Sequence, residues 1–395
     1  MPFPYYYITT PAQRDEAVKN LLHANVIGVD TEGDSLYHYN EQVALIQISG
    51  NNRHYIFDPL LLDSVKELAP LFETRSILKV FHGAEYDITS LKRDFGFKIG
   101  PVFDTALAAR AIGMTRFSLK ELVSRFCDVT LCKEQQKSNW SLRPLSEDQL
   151  NYACEDTVHL STLYALLSEE VKKKGRWDQM EEECRLMEEL TWMRKPFDPA
   201  DYIRVKGARN LSVESQRILR ELVIARDGLA REKDLPPFKV ARSHELIRLA
   251  LNRPQTKQAF TKLFSKGQLE KDMPVWLAAI QQGIVSKEPL SGRLKKSGIP
   301  MTNSQQKLFV QLRRWRDQQA QLENVEAAMV LTTPLLQAIA KKKPLTIDAL
   351  RAISLRQWQI NHYGEQLLQA VKTPRILSEG QSEGNSVRPE ETPHE

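Results

Sequence analysis

Cysteine is scarce in this chain: the four present, Cys127, Cys132, Cys154 and Cys184, include no C-x-x-C pair. That spacing offers neither a thiolate zinc motif nor a disulfide framework, and a reducing, cytoplasmic setting is expected. Long apolar runs are missing as well, so no membrane span is expected. The first residues, MPFPYYYITT, lack the positive start, apolar stretch and small-residue cleavage site of an export signal. No G-x-x-x-x-G-K-[ST] loop occurs anywhere, which argues against a fused ATP-driven motor.

What the chain has is length and a split charge. At 395 residues it exceeds one ordinary core, so two or three domains are expected. With 42% hydrophobic and 27% charged residues the composition is globular. Residues 1–200 carry 23 Lys+Arg against 30 Asp+Glu, a net of −7, whereas the remainder carries 32 against 20, a net of +12. An acidic portion followed by a basic one suits carboxylates that hold cations next to a portion that holds a polyanion.

Tyr5 to Ile8 reads as a strand, and Thr10-Pro11 supplies the cap and first-turn proline of a helix through Leu22. Three β-rich runs follow, at 26–32, 43–49 and 54–58, separated by polar or Gly/Asn turns, as in a meander. After a helix expected near Ser64 to Glu73, the run ILKVF at 77–81 has the character of a buried strand. Asp104 and Ser118 read as helix caps, and Ser146-x-x-Gln149 as a capping box for a helix spanning Leu150 to Leu167. From Leu211 the pattern is helical to about Lys372, with a repeat: Leu222, Arg226, Asp227, Ala230, Leu246, Ala250, Pro254 and Phe260 recur 90 positions later as Leu312, Arg316, Asp317, Ala320, Leu336, Ala340, Pro344 and Leu350. Pro and Gly interrupt 287–301 as in a linker, and the polar stretch after Lys372 is expected to be disordered.

Three motifs carry chemistry. Asp30 and Glu32 lie two apart in an apolar strand, which aims both at one face of the sheet. Side-by-side burial of two carboxylates is costly without a cation, although an edge strand with a solvated face would also explain D-x-E. Asp87, in His82-Gly83-Ala84-Glu85-Tyr86-Asp87, starts a helix at the carboxyl end of a strand, a common site location, and there it could also simply stabilise the positive helix end. His82 is read as a structural, hydrogen-bonded histidine. Tyr152 and Asp156 sit one turn apart on one helix face, a spacing that also arises by chance.

In that order, the three motifs resemble the DEDD superfamily of 3′-5′ exonucleases, in the subgroup with Tyr four residues before the last Asp, since Tyr152 and Asn151 occupy the discriminating positions. Asp104-Thr105, Lys137-Ser138-Asn139-Trp140 and Arg143-Pro144-Leu145 resemble the ribonuclease D family more narrowly. Asn139 departs from its usual K-S-D-W, at a position that is not a metal ligand in that family. The two helical modules resemble HRDC domains, the second more closely through Trp315-Arg316 and Tyr363-Gly364, whereas the first has Ile224-Ala225-Arg226.

The resemblance implies an α/β ribonuclease H-like exonuclease domain with a mixed sheet and surrounding helices at 1–200, followed by two all-α HRDC-like domains at 210–290 and 300–373 and a tail at 374–395. It implies a 3′-5′ exoribonuclease using two divalent cations, Mg²⁺ or Mn²⁺. Asp30, Glu32 and Asp156 would hold the first and Asp30 with Asp87 the second, while Tyr152 orients the attacking water and a nucleoside 5′-monophosphate leaves. Its partners would be tRNA precursors and other small structured RNAs with 3′ extensions, gripped in part by Lys341-Lys342-Lys343 and Arg313-Arg314 with Trp315. The expected state is a cytoplasmic monomer, with no membrane association. Two alternatives are a 3′-5′ exonuclease acting on DNA and a non-catalytic RNA-binding protein; the complete carboxylate set disfavours the latter.

Overall fold

The computed structural model describes residues 3–131, 135–193, 196–264, 267–290 and 300–373. The chain forms two compact units, Met1–Pro300 and Met301–Glu395. In the first, strands β1 (Tyr6–Ile8), β2 (Val26–Gly33), β3 (Val43–Gly50), β4 (Arg53–Phe57), β5 (Leu78–Phe81) and β6 (Val102–Asp104) make one sheet in the order β1-β4-β3-β2-β5-β6. The β2, β3 and β4 meander is antiparallel, while β1 pairs parallel to β4, β5 to β2 and β6 to β5. The sheet is therefore mixed.

Alternation along the central strands separates two faces. Ile27, Val29, Ile46 and Ile48 belong to a core that includes Ala17, Val18 and Leu21 of the Pro11–Leu21 helix and Ile88 and Leu91 of the Glu85–Phe95 helix. Gly28, Asp30, Glu32, Leu45, Gln47 and Ser49 alternate with them, on the side covered by the Glu147–Val158 and Leu160–Lys173 helices. Gly28 makes that cover close, because a Cβ there would stand 2.8 Å from the Thr157 carbonyl oxygen. Ser49 Oγ and Thr157 Oγ1 are 2.6 Å apart and fix the helix on the sheet at the same level.

Several local expectations are met with sharper edges. Thr10, Ser118 and Ser146 each form a complete capping box, and Asp104 caps Thr105–Ala111 by accepting from Ala106 and Leu107 N–H groups. The helix expected at Leu150 to Leu167 is two helices, Glu147–Val158 and Leu160–Lys173, broken at His159 where Thr157 is tied to the sheet. The segment 64–73 is a 3₁₀ turn, Lys66–Leu68, and a short helix, Ala69–Glu73, because Pro70 has no N–H to continue the earlier turn. Strand β6 was not expected, being too short for any periodicity to register.

Lys79 on β5 is fully buried, and its ammonium donates to the carbonyls of Thr74 (2.7 Å), Ile77 (2.8 Å) and Gly100 (2.7 Å). All three of its hydrogens are used, joining the ends of β5 and β6. Lys79→Met should cost about 3 kcal/mol in chemical denaturation, since three interior carbonyls lose their donor. A loss under about 0.5 kcal/mol would mean that the carbonyls find other partners.

The helical region repeats as expected. Helices Val213–Glu232, Pro237–Val240, Ser243–Asn252 and Lys257–Leu263 begin 90 positions before Asn303–Leu322, Ala327–Val330, Thr333–Lys342 and Ile347–Arg351. The recurring residues have structural work. Arg226 Nη1 donates to the Ala241 carbonyl and Arg316 Nη1 to the Leu331 carbonyl, both at 3.4 Å. Pro254 and Pro344 follow left-handed helix caps at Arg253 and Lys343 (φ 48° and 47°). Met273–Val285 closes the first module, and Gln357–Lys372 the second. No strand occurs among the described residues after Asp104, and no helix is long and apolar enough to cross a membrane. Most of the expected linker, 291–299, and the tail, 374–395, lie outside the described residues.

The first module is bonded to the sheet domain through the segment after β2. Tyr39 Oη donates to Asp227 (2.8 Å), His38 Nδ1 lies 2.7 Å from Asp234 Oδ2, and the Lys239 ammonium sits 3.8 Å above the Tyr37 ring. The same segment reaches the Lys137–Ser141 stretch, with Tyr37 Oη donating to the Lys137 carbonyl (2.8 Å) and His38 Nε2 at 2.9 Å from Ser141 Oγ.

Candidate active site

Asp30 and Glu32 project from β2 toward the Glu147–Val158 helix, and Asp156 returns from that helix to meet them. Carboxylate oxygens of these three lie within 4.8 Å of one another. Asp87 arrives by another route. After β5 the chain turns at Gly83, whose φ of 80° a side chain would resist, and enters the Glu85–Phe95 helix with Asp87 as its third residue. The Asp104 carboxylate holds this turn by accepting from the N–H groups of Gly83 (3.1 Å) and Ala84 (2.9 Å). Asp87 is 6% exposed and lies outside the close trio; its Oδ1 accepts from Thr31 Oγ1 at 2.6 Å. It lines the same cleft, of about 300 Å³, as the other three and Tyr152.

Four carboxyls gathered in one cleft, three of them partly buried and Asp87 buried, resist ionisation. Burial first, then the charges of Asp87, Asp156 and Glu32, holds Asp30 well above the usual carboxylate range. Burial followed by Asp156 and Asp87 does the same to Glu32. Asp87 is pushed up to about 7 by burial, against the opposing Thr31 hydrogen bond. Asp156 is also pushed up to about 7 by burial, against a hydrogen bond donated by Tyr152. Burial raises the Tyr152 phenol, and the neighbouring carboxylates raise it further, so it remains a protonated donor. The donor set is all oxygen and mutually repulsive, which fits hard divalent cations.

The wall behind Tyr152 is Trp140, 1% exposed, its ring 6.0 Å from the tyrosine ring and tilted by 33°. The loop carrying Trp140 is fixed by Arg143, which donates to the buried Asp58 carboxylate through Nε (2.6 Å) and Nη2 (2.7 Å). Asn139 Oδ1 accepts from the N–H (3.2 Å) and Oγ (2.6 Å) of Ser141, so the departure from K-S-D-W shapes this loop and does not line the cleft.

His82 is hydrogen-bonded, as expected: its Nδ1 lies 2.9 Å from Thr105 Oγ1, and that hydroxyl donates to the Phe81 carbonyl (3.0 Å). The ring also lines the cleft, which its sequence position did not indicate. Thr31, Tyr86, Ser118, Leu119, Lys120, Leu131 and Gln136 complete the lining, and none of them was singled out as a cleft residue from the sequence. Tyr86 stood in a motif already singled out; for Lys120 and Gln136 the sequence held no signal, because the fold alone brings them to the carboxylates. In the second module, Trp315 belongs to the core edge against Tyr363 (5.6 Å), its Nε1 donating to Gln366 (3.0 Å), and Lys343 Nζ donates to Ser304 Oγ (2.8 Å). Lys341, Lys342, Arg313 and Arg314 are exposed.

Residues 5–172 match the 3′-5′ exonuclease family, and residues 215–280 and 305–371 each match the HRDC domain. The chain is similar to ribonuclease D of Desulfotalea psychrophila, 31% identical over 62% of this chain and 67% of that protein. It is also similar to the Caenorhabditis elegans exosome complex component 10 homolog, 32% identical over 64% of this chain and 29% of that protein. It spans about a third of the length of the exosome component 10 proteins it matches. In fold, the Escherichia coli RNase D crystal structure, that of an exoribonuclease involved in structured RNA processing, aligns over 93% of this chain and 99% of its own, with a TM-score of 0.66 at 22% identity.

Proposed function

Because the chain belongs to the ribonuclease D family, we propose that it is a 3′-5′ exoribonuclease that hydrolyses nucleotides one at a time from RNA 3′ ends and releases nucleoside 5′-monophosphates. The observation that carries this reading is the convergence of Asp30, Glu32 and Asp156 oxygens within 4.8 Å, with Asp87 and Tyr152 in the same cleft. Asp30, Glu32 and Asp156 would hold one divalent cation, and Asp30 with Asp87 a second. Bound there, such a pair supplies an activated water and stabilisation of the leaving 3′ oxygen. The Tyr152 hydroxyl, kept protonated and backed by Trp140, orients the attacking water, and the raised carboxyls give up their protons as cations enter.

The substrates we propose are tRNA precursors and other structured RNAs with short 3′ extensions. In support, the chain from residue 201 has a net charge of +12 and its helical modules match the HRDC domain. We take the exonuclease domain as 1–200 and the HRDC-like domains as 210–290 and 300–373, in a monomer acting in the cytoplasm.

Incubation with Mg²⁺ and 3′-labelled RNA or DNA strands tests the reading. Labelled mononucleotide should leave RNA from the first turnover. DNA degraded in place of RNA would move the activity to the other nucleic acid, and no Mg²⁺-dependent release would end the enzymatic reading. Tyr152→Phe should lower kcat about a hundredfold with KM nearly unchanged, as for a group that orients a reacting water. An equal rise in KM with kcat intact would make Tyr152 a substrate-binding residue instead.

A further inference from the structure

Gln47 occupies the middle of β3, between Ile46 and Ile48, and is fully buried. Neither its Nε2 nor its Oε1 has a hydrogen-bond partner in the protein. An interior amide left this way is unfavourable, and a methionine or leucine of similar volume would fill the site without that cost. The neighbours on the same face take the opposite course: Leu45 packs in an apolar cluster with Trp140, Ala153 and Cys154, and Ser49 is bonded to Thr157. Only the amide at 47 is left unmatched on this stretch of strand.

Its position supplies a reason. In the antiparallel β2–β3 ladder, Gln47 is the cross-strand partner of Asp30, so the two side chains leave the same face of the sheet side by side. A carboxylate has about four lone-pair directions. A cation drawn into the cluster would engage some of them and leave others in a dry interior, where they need donors. Groups that satisfy such outer lone pairs hold a ligand in its binding orientation.

We propose that Gln47 is a positioning residue for Asp30: its Nε2 donates to the Asp30 carboxylate when a divalent cation occupies the cluster. The amide is thus a cost in the metal-free protein and a gain in the loaded one. This rests on the metal-site reading above, and it makes two observables move in opposite directions.

The test is Gln47→Met, with Gln47→Leu as a second variant in case one packs poorly, in the full-length chain. Melting temperature is measured without metal, and Mg²⁺ affinity by titration calorimetry. The expected result is a metal-free melting temperature equal to or above wild type with Mg²⁺ affinity weakened about 10- to 100-fold. Unchanged Mg²⁺ affinity in a folded variant would overturn the proposal whether or not stability moved. A wild-type protein that takes up no Mg²⁺ in the same titration would overturn the metal-site reading itself.

Discussion

Asp30→Asn should reduce Mg²⁺-dependent release of nucleotides by about a thousandfold or more while the metal-free protein becomes no less stable. Asp30 lies in the close trio with Glu32 and Asp156, and Asp87 also bears on its carboxyl. In the proposed arrangement it is also the one carboxylate shared between both cations, so its loss disturbs activation of the attacking water and stabilisation of the leaving oxygen together. A thousandfold corresponds to about 4 kcal/mol of transition-state stabilisation, the scale of an electrostatic group aimed at developing charge. The metal-free protein is not destabilised because the amide stays neutral, whereas the Asp30 carboxyl it replaces resists ionisation beside three other raised carboxyls. Turnover of Asp30→Asn within tenfold of wild type, with metal-free melting unchanged, would remove Asp30 from the centre of the mechanism.

Much of this arrangement is legible in the amino-acid sequence, and what is hidden there has identifiable causes. Thr10, Ser118 and Ser146 announce their helices because a capping box is local chemistry, satisfied within four residues. Asp30 and Glu32 could be assigned to one face because strand alternation is equally local. The meeting of β2, the Glu85–Phe95 helix and the Glu147–Val158 helix is not local, and it rested on the order of three motifs. Gln47 passed unnoticed for a related reason: a glutamine in an apolar strand has no distinctive spacing, and only the register with Asp30 gives it meaning. The break at His159 was equally invisible, because it depends on the Ser49–Thr157 bond across 108 residues. The repeat marked Arg226 and Arg316 as equivalent positions without saying why, and the reason lies in the fold: each reaches back to a carbonyl of its own module.

The second large effect is an inversion of pH dependence by metal. In the folded, metal-free chain Asp87 and Asp156 are pushed up to about 7, and Asp30 and Glu32 are also raised, each chiefly by burial. Unfolded carboxyls titrate near about 4. Between these limits the folded state binds more protons than the unfolded one, so the cluster's contribution to stability declines as pH rises from about 4 through about 7. Mg²⁺ acts on the ionised form, so its stabilising effect should be small at pH 5 and large at pH 8, where a concentration a hundred times Kd gives about 2.7 kcal/mol. His54 and His159, lowered by burial, work the other way: they add stability as pH rises toward about 6.5, the ordinary histidine value. The comparison must therefore isolate the carboxylates, and Asp30→Asn does so because both histidines remain. Calorimetric melting at pH 5 and pH 8, in Mg²⁺ and in EDTA, should give a Mg²⁺-induced rise in wild type that grows with pH and largely vanishes in Asp30→Asn. A rise of equal size at both pH values, or one that survives the substitution, would place the stabilising cation somewhere other than this cluster.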